Sequence, residues 1–380
     1  MKIVFLSDDF PPESFGGAGI STYELAKGVQ NAGHEVFVIT TVRSEKEASL
    51  SDYDGLKVYK IINNYPEKWR AYRGLYNPPV IREVKKILKK INPDVVHANN
   101  IHYYLSYHSL KIAKKYSKAV ILTFRDTMAI TYGKLQTKKY IEDFDVRISW
   151  LDNLKQAKKR WNPFRNIIIK SYLTYVDKLF SVSNVLKKAL EENGIKNVET
   201  LHTGIDTLEY EVSSERENKK IVFFAGRLSE AKGGLVATKV MEKVLKEIPD
   251  AIFFTAGTGG KWLNREEMKR TLANSRVILV PSVYLDPFPR AVLEGMAVGK
   301  PVVGTCFGGT PEAIVDGVTG YVVNPFNIEL MTEKICDLLK DEVKARSLGK
   351  AGRERVRDKF NLEQKVKEYL DWYKHLVHIS

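Results

Sequence analysis

Two cations five residues apart, Arg227 and Lys232, are the first residues of this chain whose types and spacing suggest chemistry. In KIVFFAGRLSEAKGG an apolar strand pattern runs straight into Arg227, and Lys232 follows just before the glycines that lead into a helix. An arginine fork and a lysine point charge at a helix start form charge-assisted bonds to a diphosphate. Those bonds strengthen as negative charge develops on a departing phosphate. Such a pair can stand in for a metal ion. Farther on, SVYLDPFPRAVLEGMAVGKPVVG begins at a strand end, and Pro289 opens a helix in a favoured first-turn position. The amides around Arg290 and Ala291, with Phe288 just before them, lie at the same ligand-facing edge. Asp286 precedes that helix and Glu294 lies within it, so the two carboxylates can accept hydrogen bonds from different parts of one hydroxylated ligand; the alternative is that Asp286 caps the helix and Glu294 is a surface charge. Gly308, Gly309 and Thr310 in CFGGTPEAI supply another backbone turn at this edge, and they are expected to line a phosphate site.

The first half offers a second set. In FPPESFGGAG the glycines Gly16, Gly17 and Gly19 stand directly before a helix, where bare amides and the positive helix end suit a phosphate, unless the glycines merely shape a long turn. A dinucleotide-binding fingerprint does not fit them. The glycines come several residues late after the strand, Thr22 stands where the third glycine belongs, and the second strand ends in Thr40, Thr41, Val42 and Arg43 without an acid. His97, Asn99 and His102 around DVVHAN, and Arg125 with Asp126 after ILTF, are candidates for the acceptor or sugar side, with an ordinary loop role equally open. The DYD at 52–54 resembles a metal-binding D-x-D but precedes a strand, so it reads as a turn. Cys306 and Cys336 have no metal-type spacing, and neither a zinc site nor a disulfide framework is expected.

These residues need elements to position them. KIVFLSD, a glycine-rich loop, ISTYELAKGVQNAG and HEVFVITT read as strand, loop, helix and strand, and the alternation recurs through VIREVKKILKKI, PDVVHAN, HSLKIAKKYS and AVILTF. A doubly wound parallel sheet is predicted. From about Thr131 to Lys170 the alternation gives way to a helical excursion rich in aromatic and basic residues, including Trp150, Trp161, Phe164 and Arg165, which could dock on lipid headgroups or simply pack. A second series then starts at KIVFFAGRL, after the polar linker SSERENKK. The predicted domains are residues 1–205 and 219–360, with a helix at about 361–378 packing back on the first. At 380 residues the chain is long enough for two cores, and no apolar run in it is long enough to span a bilayer. The N-terminus reads as a first strand and not as a signal peptide, and the two cysteines suit a reducing, cytoplasmic setting. The net charge of +14 favours anionic partners without choosing among them, and no nucleic-acid module is present.

AGRLSEAKG, DPFPRAVLEGMAVGKPVVG and GGTPEAIVDGVTGYVV, together with PPESFGGAGISTYELAKGVQNAGHEV, PDVVHAN, SVSNVLKKAL and HTGID, resemble the retaining glycosyltransferases of family 4 over nearly the whole chain. The resemblance implies the GT-B fold, an α/β architecture of two facing Rossmann-like doubly wound domains with an interdomain cleft. It also implies transfer of a sugar from a nucleoside diphosphate sugar to a glycan, lipid-linked or small-molecule hydroxyl, with retention and without metal or other cofactor. By the same resemblance Arg227 and Lys232 hold the donor diphosphate, and the motif from Asp286 to Glu294 contacts donor sugar and ribose. Three departures stand out. Asp286 replaces the family's glutamate, Arg125-Asp126 replaces a common His-Asp, and only KWLNREEMKRTLAN lies where the family has an extra strand and turn near the nucleotide base, with Lys261 or Trp262 as possible substitutes. The rival expectations are a catalytically silent nucleotide-sugar-binding protein, and an epimerase or phosphorylase of the same fold. A cytoplasmic location is expected, with peripheral contact to the inner membrane face as a further expectation.

Overall fold

A parallel sheet covered on both faces needs strands that read as unbroken apolar runs, and VVHAN and AVILTF come close to that. In the computed structural model, which describes residues 1–13, 16–44, 49–210, 219–226, 228–256 and 263–379, every residue of these two strands is buried. The chain divides into two compact units. The first comprises Met1–Gly133, Val146–Thr203 and Leu362–Ser380, and the second Lys134–Asp145 with Gly204–Asn361.

Among the described residues the first unit carries eight strands: β1 (Lys2–Leu6), β2 (Glu35–Val42), β3 (Leu50–Tyr53), β4 (Leu56–Ile62), β5 (Val95–Asn99), β6 (Ala119–Phe124), β7 (Lys178–Ser181) and β8 (Val198–Thr200). Their order is β3-β4-β2-β1-β5-β6-β7-β8, parallel throughout except for β3, which runs antiparallel to β4. The DYD motif ends this hairpin. Asp52 and Tyr53 finish β3, and Asp54 and Gly55 make the turn, both with positive φ of 52° and 77°. The helix Pro78–Ile91 shows how the sheet is covered: prolines at its start, Val80, Ile81, Val84, Ile87, Leu88 and Ile91 on the buried face, and its lysines outside. Connections between neighbouring strands reverse direction across the sheet at β1 and β5, so the loops after these two strands flank the crevice where open α/β sheets bind ligands.

The helical excursion is present as Lys138–Asp143, Trp150–Ala157 and Arg165–Leu173. Its first piece, residues 134–145, belongs to the second unit. The C-terminal helix, Leu362–His378, returns to the first unit and buries Val366, Tyr369, Leu370, Tyr373 and Leu376. It lies so close to the helix Gly17–Asn31 that a Cβ on Gly28 would come within 2.5 Å of Val366 Cγ2.

The second unit carries β9 (Ile221–Phe224), β10 (Ile252–Thr255), β11 (Val277–Val280), β12 (Val302–Thr305) and β13 (Gly320–Val323), all parallel, in the order β10-β9-β11-β12-β13. Here the reversal falls between β9 and β11. Val240, Met241 and Val244 of the helix Gly234–Glu247 pack on Val222, Leu279 and Val303 of the sheet to form its core. Between β10 and β11 the described chain forms the helix Arg265–Ala273, capped reciprocally by Asn264 and Glu267. Lys261 and Trp262 lie outside the described residues.

Candidate active site

The loops that follow β9 and β11 meet at the second unit's switch point. Gly233, with φ of 78°, ends the first loop, and a Cβ there would fall 2.0 Å from the carbonyl oxygen of Pro281 in the second. Only glycine lets the two backbones touch, and the amide of Val283 then donates to the Ala231 oxygen at 2.9 Å. This contact sets Lys232 opposite Asp286. Lys232 Nζ lies 2.6 Å from Asp286 Oδ2, and Ser282 Oγ donates to the same oxygen at 3.2 Å. The aspartate side chain is 7% exposed and the lysine 29%, so the carboxylate is pinned while the ammonium keeps a side open to solvent. Lys134 and Lys232 also lie 4.7 and 5.5 Å from the ring centre of Tyr284, so two cations share one aromatic ring. Arg227, the other cation of the sequence motif, lies outside the described residues.

The segment from Asp286 to Glu294 is held from beneath by glycines. Gly308 has φ of 67°, and a Cβ on it would meet the Asp286 oxygen at 2.1 Å; one on Gly309 would meet the Pro287 oxygen at 2.1 Å. The Gly308 amide donates to Tyr140 Oη at 2.8 Å and the Gly309 amide to the Asp286 oxygen at 2.8 Å. The expectation that these glycines line a phosphate is therefore corrected: both amides are spent on supporting the Asp286 loop. Phe288 and Pro289 are buried, and Phe288 packs on Phe360 with ring centres 5.4 Å apart. Pro289 caps the helix Arg290–Ala297 without a side-chain bond, so the Ala291 amide in the first turn has no acceptor within the helix. Glu294 is only 15% exposed and is not a surface charge. Its Oε1 accepts from Arg290 Nε at 2.6 Å and from Tyr210 Oη at 3.2 Å, and Arg290 Nη2 donates to the same tyrosine oxygen at 3.2 Å.

In the first unit the loops after β1 and β5 are clasped by a residue that the sequence motifs did not single out. The buried carboxylate of Asp8 accepts from the amides of Tyr103, Tyr104 and Leu105 at 2.6, 2.9 and 2.7 Å. Burial nevertheless pushes its pKa up to about 7. Gly16 caps the helix that begins at Gly17; Gly16 and Gly17 are exposed and Gly19 is buried. His97 requires a correction. It sits in mid-strand on the face toward the C-terminal helix, fully buried, with Nδ1 2.6 Å from Tyr373 Oη and Nε2 2.8 Å from Thr123 Oγ1. Both ring nitrogens are engaged, and burial drives its pKa well down, so it is a neutral interior residue and not a ligand contact. Asn99, at the end of the same strand, accepts from Arg125 Nε at 2.9 Å, and Arg125 Nη1 reaches Thr203 at 3.3 Å. His102 lies 3.6 Å from Asp126, and burial lowers its pKa to about 4.

Thus Lys232, Asp286 and the Phe288–Glu294 segment belong to one contiguous neighbourhood of the second unit, and Asn99 with Arg125 to the strand ends of the first. Sequence reasoning missed Ser282, Tyr284, Tyr210 and Tyr140. The two tyrosines at 140 and 210 come from outside the βαβ series and carried no periodic or motif signal.

The two parallel-sheet α/β domains and their sheet-end loops are those of a GT-B glycosyltransferase. The chain belongs to Glycosyltransferase Family 4, whose model matches residues 15–208, and residues 261–355 match glycosyl transferases group 1. Spore coat protein SA of Bacillus subtilis is 28% identical over 185 residues, a match spanning 41% of this chain and 48% of that protein. Glycogen synthase of Mycobacterium tuberculosis is 23% identical over 403 aligned residues, covering 95% of this chain and 91% of that one. Among solved structures, sucrose-phosphate synthase from Thermosynechococcus elongatus has a TM-score of 0.75 at 19% identity, with 100% of both chains covered. HepE of Anabaena in complex with UDP-glucose has a TM-score of 0.66 at 16% identity, covering 98% of this chain and 99% of that one.

Proposed function

We propose that this glycosyltransferase moves a sugar from a nucleoside diphosphate sugar to a hydroxyl acceptor, with retention of anomeric configuration and without a metal ion. The observation that carries this reading is the Lys232–Asp286 pair, 2.6 Å apart, at the switch point of the second unit. The support from likeness is that HepE was crystallised with UDP-glucose. In this reading the ammonium of Lys232, already oriented by Asp286, takes a phosphate oxygen of the donor, and Arg227 takes another. As the bond from the anomeric carbon to oxygen breaks, the electron pair stays on the diphosphate, where a fixed cation is worth more than in water. Arg290 and Tyr210 hold one oxygen of Glu294, leaving Oε2 to accept from ribose hydroxyls. The acceptor hydroxyl attacks from the face the diphosphate leaves and passes its proton to a phosphate oxygen, which balances the charge without a separate base. A glycan, a lipid-linked sugar or a small metabolite is the acceptor class.

Nucleotide release from UDP-, GDP- and ADP-sugars, measured with excess EDTA and a mixed acceptor set, tests this. Release from one donor that persists in EDTA supports it. Binding of nucleotide without any release would replace it by the silent-binding reading, and release abolished by EDTA would overturn the metal-free step.

A peripheral contact with an anionic bilayer is also proposed. Trp150, Phe164 and Ile167 are 66%, 63% and 67% exposed, with Lys155, Lys158, Lys159 and Lys170 exposed in the same segment. Co-sedimentation with phosphatidylglycerol vesicles that is lost in Trp150→Ser/Phe164→Ser supports this; equal recovery with neutral vesicles, or none, rejects it.

A further inference from the structure

The first unit contains a narrow recess beside its sheet-end clasp, lined by Arg70, His102, Tyr107, Tyr132, Arg160 and Arg165 among others. Three guanidinium groups border a space of about 320 Å³ measured out to its open mouth. Their partners do not balance them. Arg70 is 8% exposed, stacks 3.2 Å above the centre of the Tyr103 ring, and has a buried Nη2 with no hydrogen-bond partner. Arg165, 6% exposed, donates to Asn166 Oδ1 and to the Met128 carbonyl, both neutral, and lies over the Tyr132 ring. Among the described residues neither has a carboxylate within 4.0 Å. Arg160 is paired with the exposed Glu67 at 2.6 Å, Asp126 lies 3.6 Å from the recess-lining His102, and Asp8 is the buried acid of the adjoining clasp. Among the described residues, one of the three arginines has a carboxylate within 4.0 Å, and arginine does not lose its proton when buried.

A buried guanidinium with an unmet donor is costly unless something supplies the acceptor and the opposite charge. The inner space takes about one water-sized sphere, which is room for the tip of an oxyanion and not for a sugar ring. We propose that this recess is an anion site that receives the terminal phosphate or carboxylate group of a small polar ligand, with Arg70 Nη2 and Arg165 as its inner donors and Arg160 at its mouth. The site stands independently of the donor reading, because every residue in it belongs to the first unit.

Isothermal titration of the full chain at low salt, with inorganic phosphate in one arm and malonate in the other, tests the proposal and separates the two anion types. Expected is saturable binding in at least one arm, weakened about tenfold or more in Arg70→Gln and clearly weakened in Arg160→Gln, but unchanged in Lys246→Gln, which changes an exposed lysine of the second unit. The Arg160 variant changes a partly exposed side chain, so it decides the matter if Arg70→Gln fails to fold. No saturable binding of either anion to the wild type overturns the site, as does binding that is unchanged in both Arg70→Gln and Arg160→Gln.

Discussion

Gly308 shows how much of the site is fixed by single residues. With φ of 67° and the Asp286 oxygen 2.1 Å from where a Cβ would stand, Gly308→Ala forces the Asp286 loop to move. It is expected to lose about 2 kcal/mol or more of stability, read as a lower denaturant midpoint, together with weaker nucleotide binding. His102 and Asp8 make the pH dependence a residue-scale question. Folding holds His102 neutral, with its pKa down at about 4 from an ordinary 6.5, so its contribution is complete above pH 6.5 and is lost as the pH falls toward 4. The difference in unfolding free energy between wild type and His102→Gln should therefore shrink by about 3 kcal/mol across that window. Asp8 works in the opposite direction. Its raised pKa, about 7 against 3.8, gives a contribution that is complete at low pH and fades as the pH rises through 7, so the wild-type profile alone understates both groups. The charged motif residues were legible because Asp286, Arg290 and Glu294 sit at fixed offsets from Pro289. Tyr210 and Tyr140 were not, since their positions depend on where distant chain returns, which no local period encodes.

Elements carried the clearest signal in the sequence. The strands of both sheets follow the apolar runs, because a strand buried on both faces leaves little room for polar residues. What the runs could not show was which way each side chain points: His97 looks like a strand-end ligand only if its face is ignored. The structure ties it instead to the C-terminal helix Leu362–His378, through Tyr373. Tyr373→Phe leaves the His97 Nδ1 without that partner in a buried site and is expected to cost about 1–3 kcal/mol, with no change in donor affinity. Gly28→Val places branched carbon against Val366, already 2.5 Å from a Cβ at that position. Limited proteolysis should then cut the C-terminal helix at protease concentrations that leave the wild type intact. The excursion was readable as helix, yet the assignment of residues 134–145 to the second unit was not, because it rests on contacts such as Tyr140 with Gly308.

At the scale of the whole molecule, the two units follow one rule: each sheet reverses its connections at one point, and an aspartate joins the two loops there. Asp8 makes that join through backbone amides, and Asp286 through Lys232, with Ser282 of its own loop bonded to the same oxygen. The difference matters, because amides close a loop whereas a partly exposed lysine is available to an anion. The most direct measurement is donor turnover by Lys232→Ala, set beside the wild type and a folded-state check by circular dichroism. A fall in kcat of about 10²–10³-fold, with the protein still folded, is the expected result for a cation that acts on charge developing in the transition state. Turnover within about twofold of the wild type, a difference of only ~0.4 kcal/mol, would contradict the assignment of the diphosphate to the Lys232–Asp286 crevice.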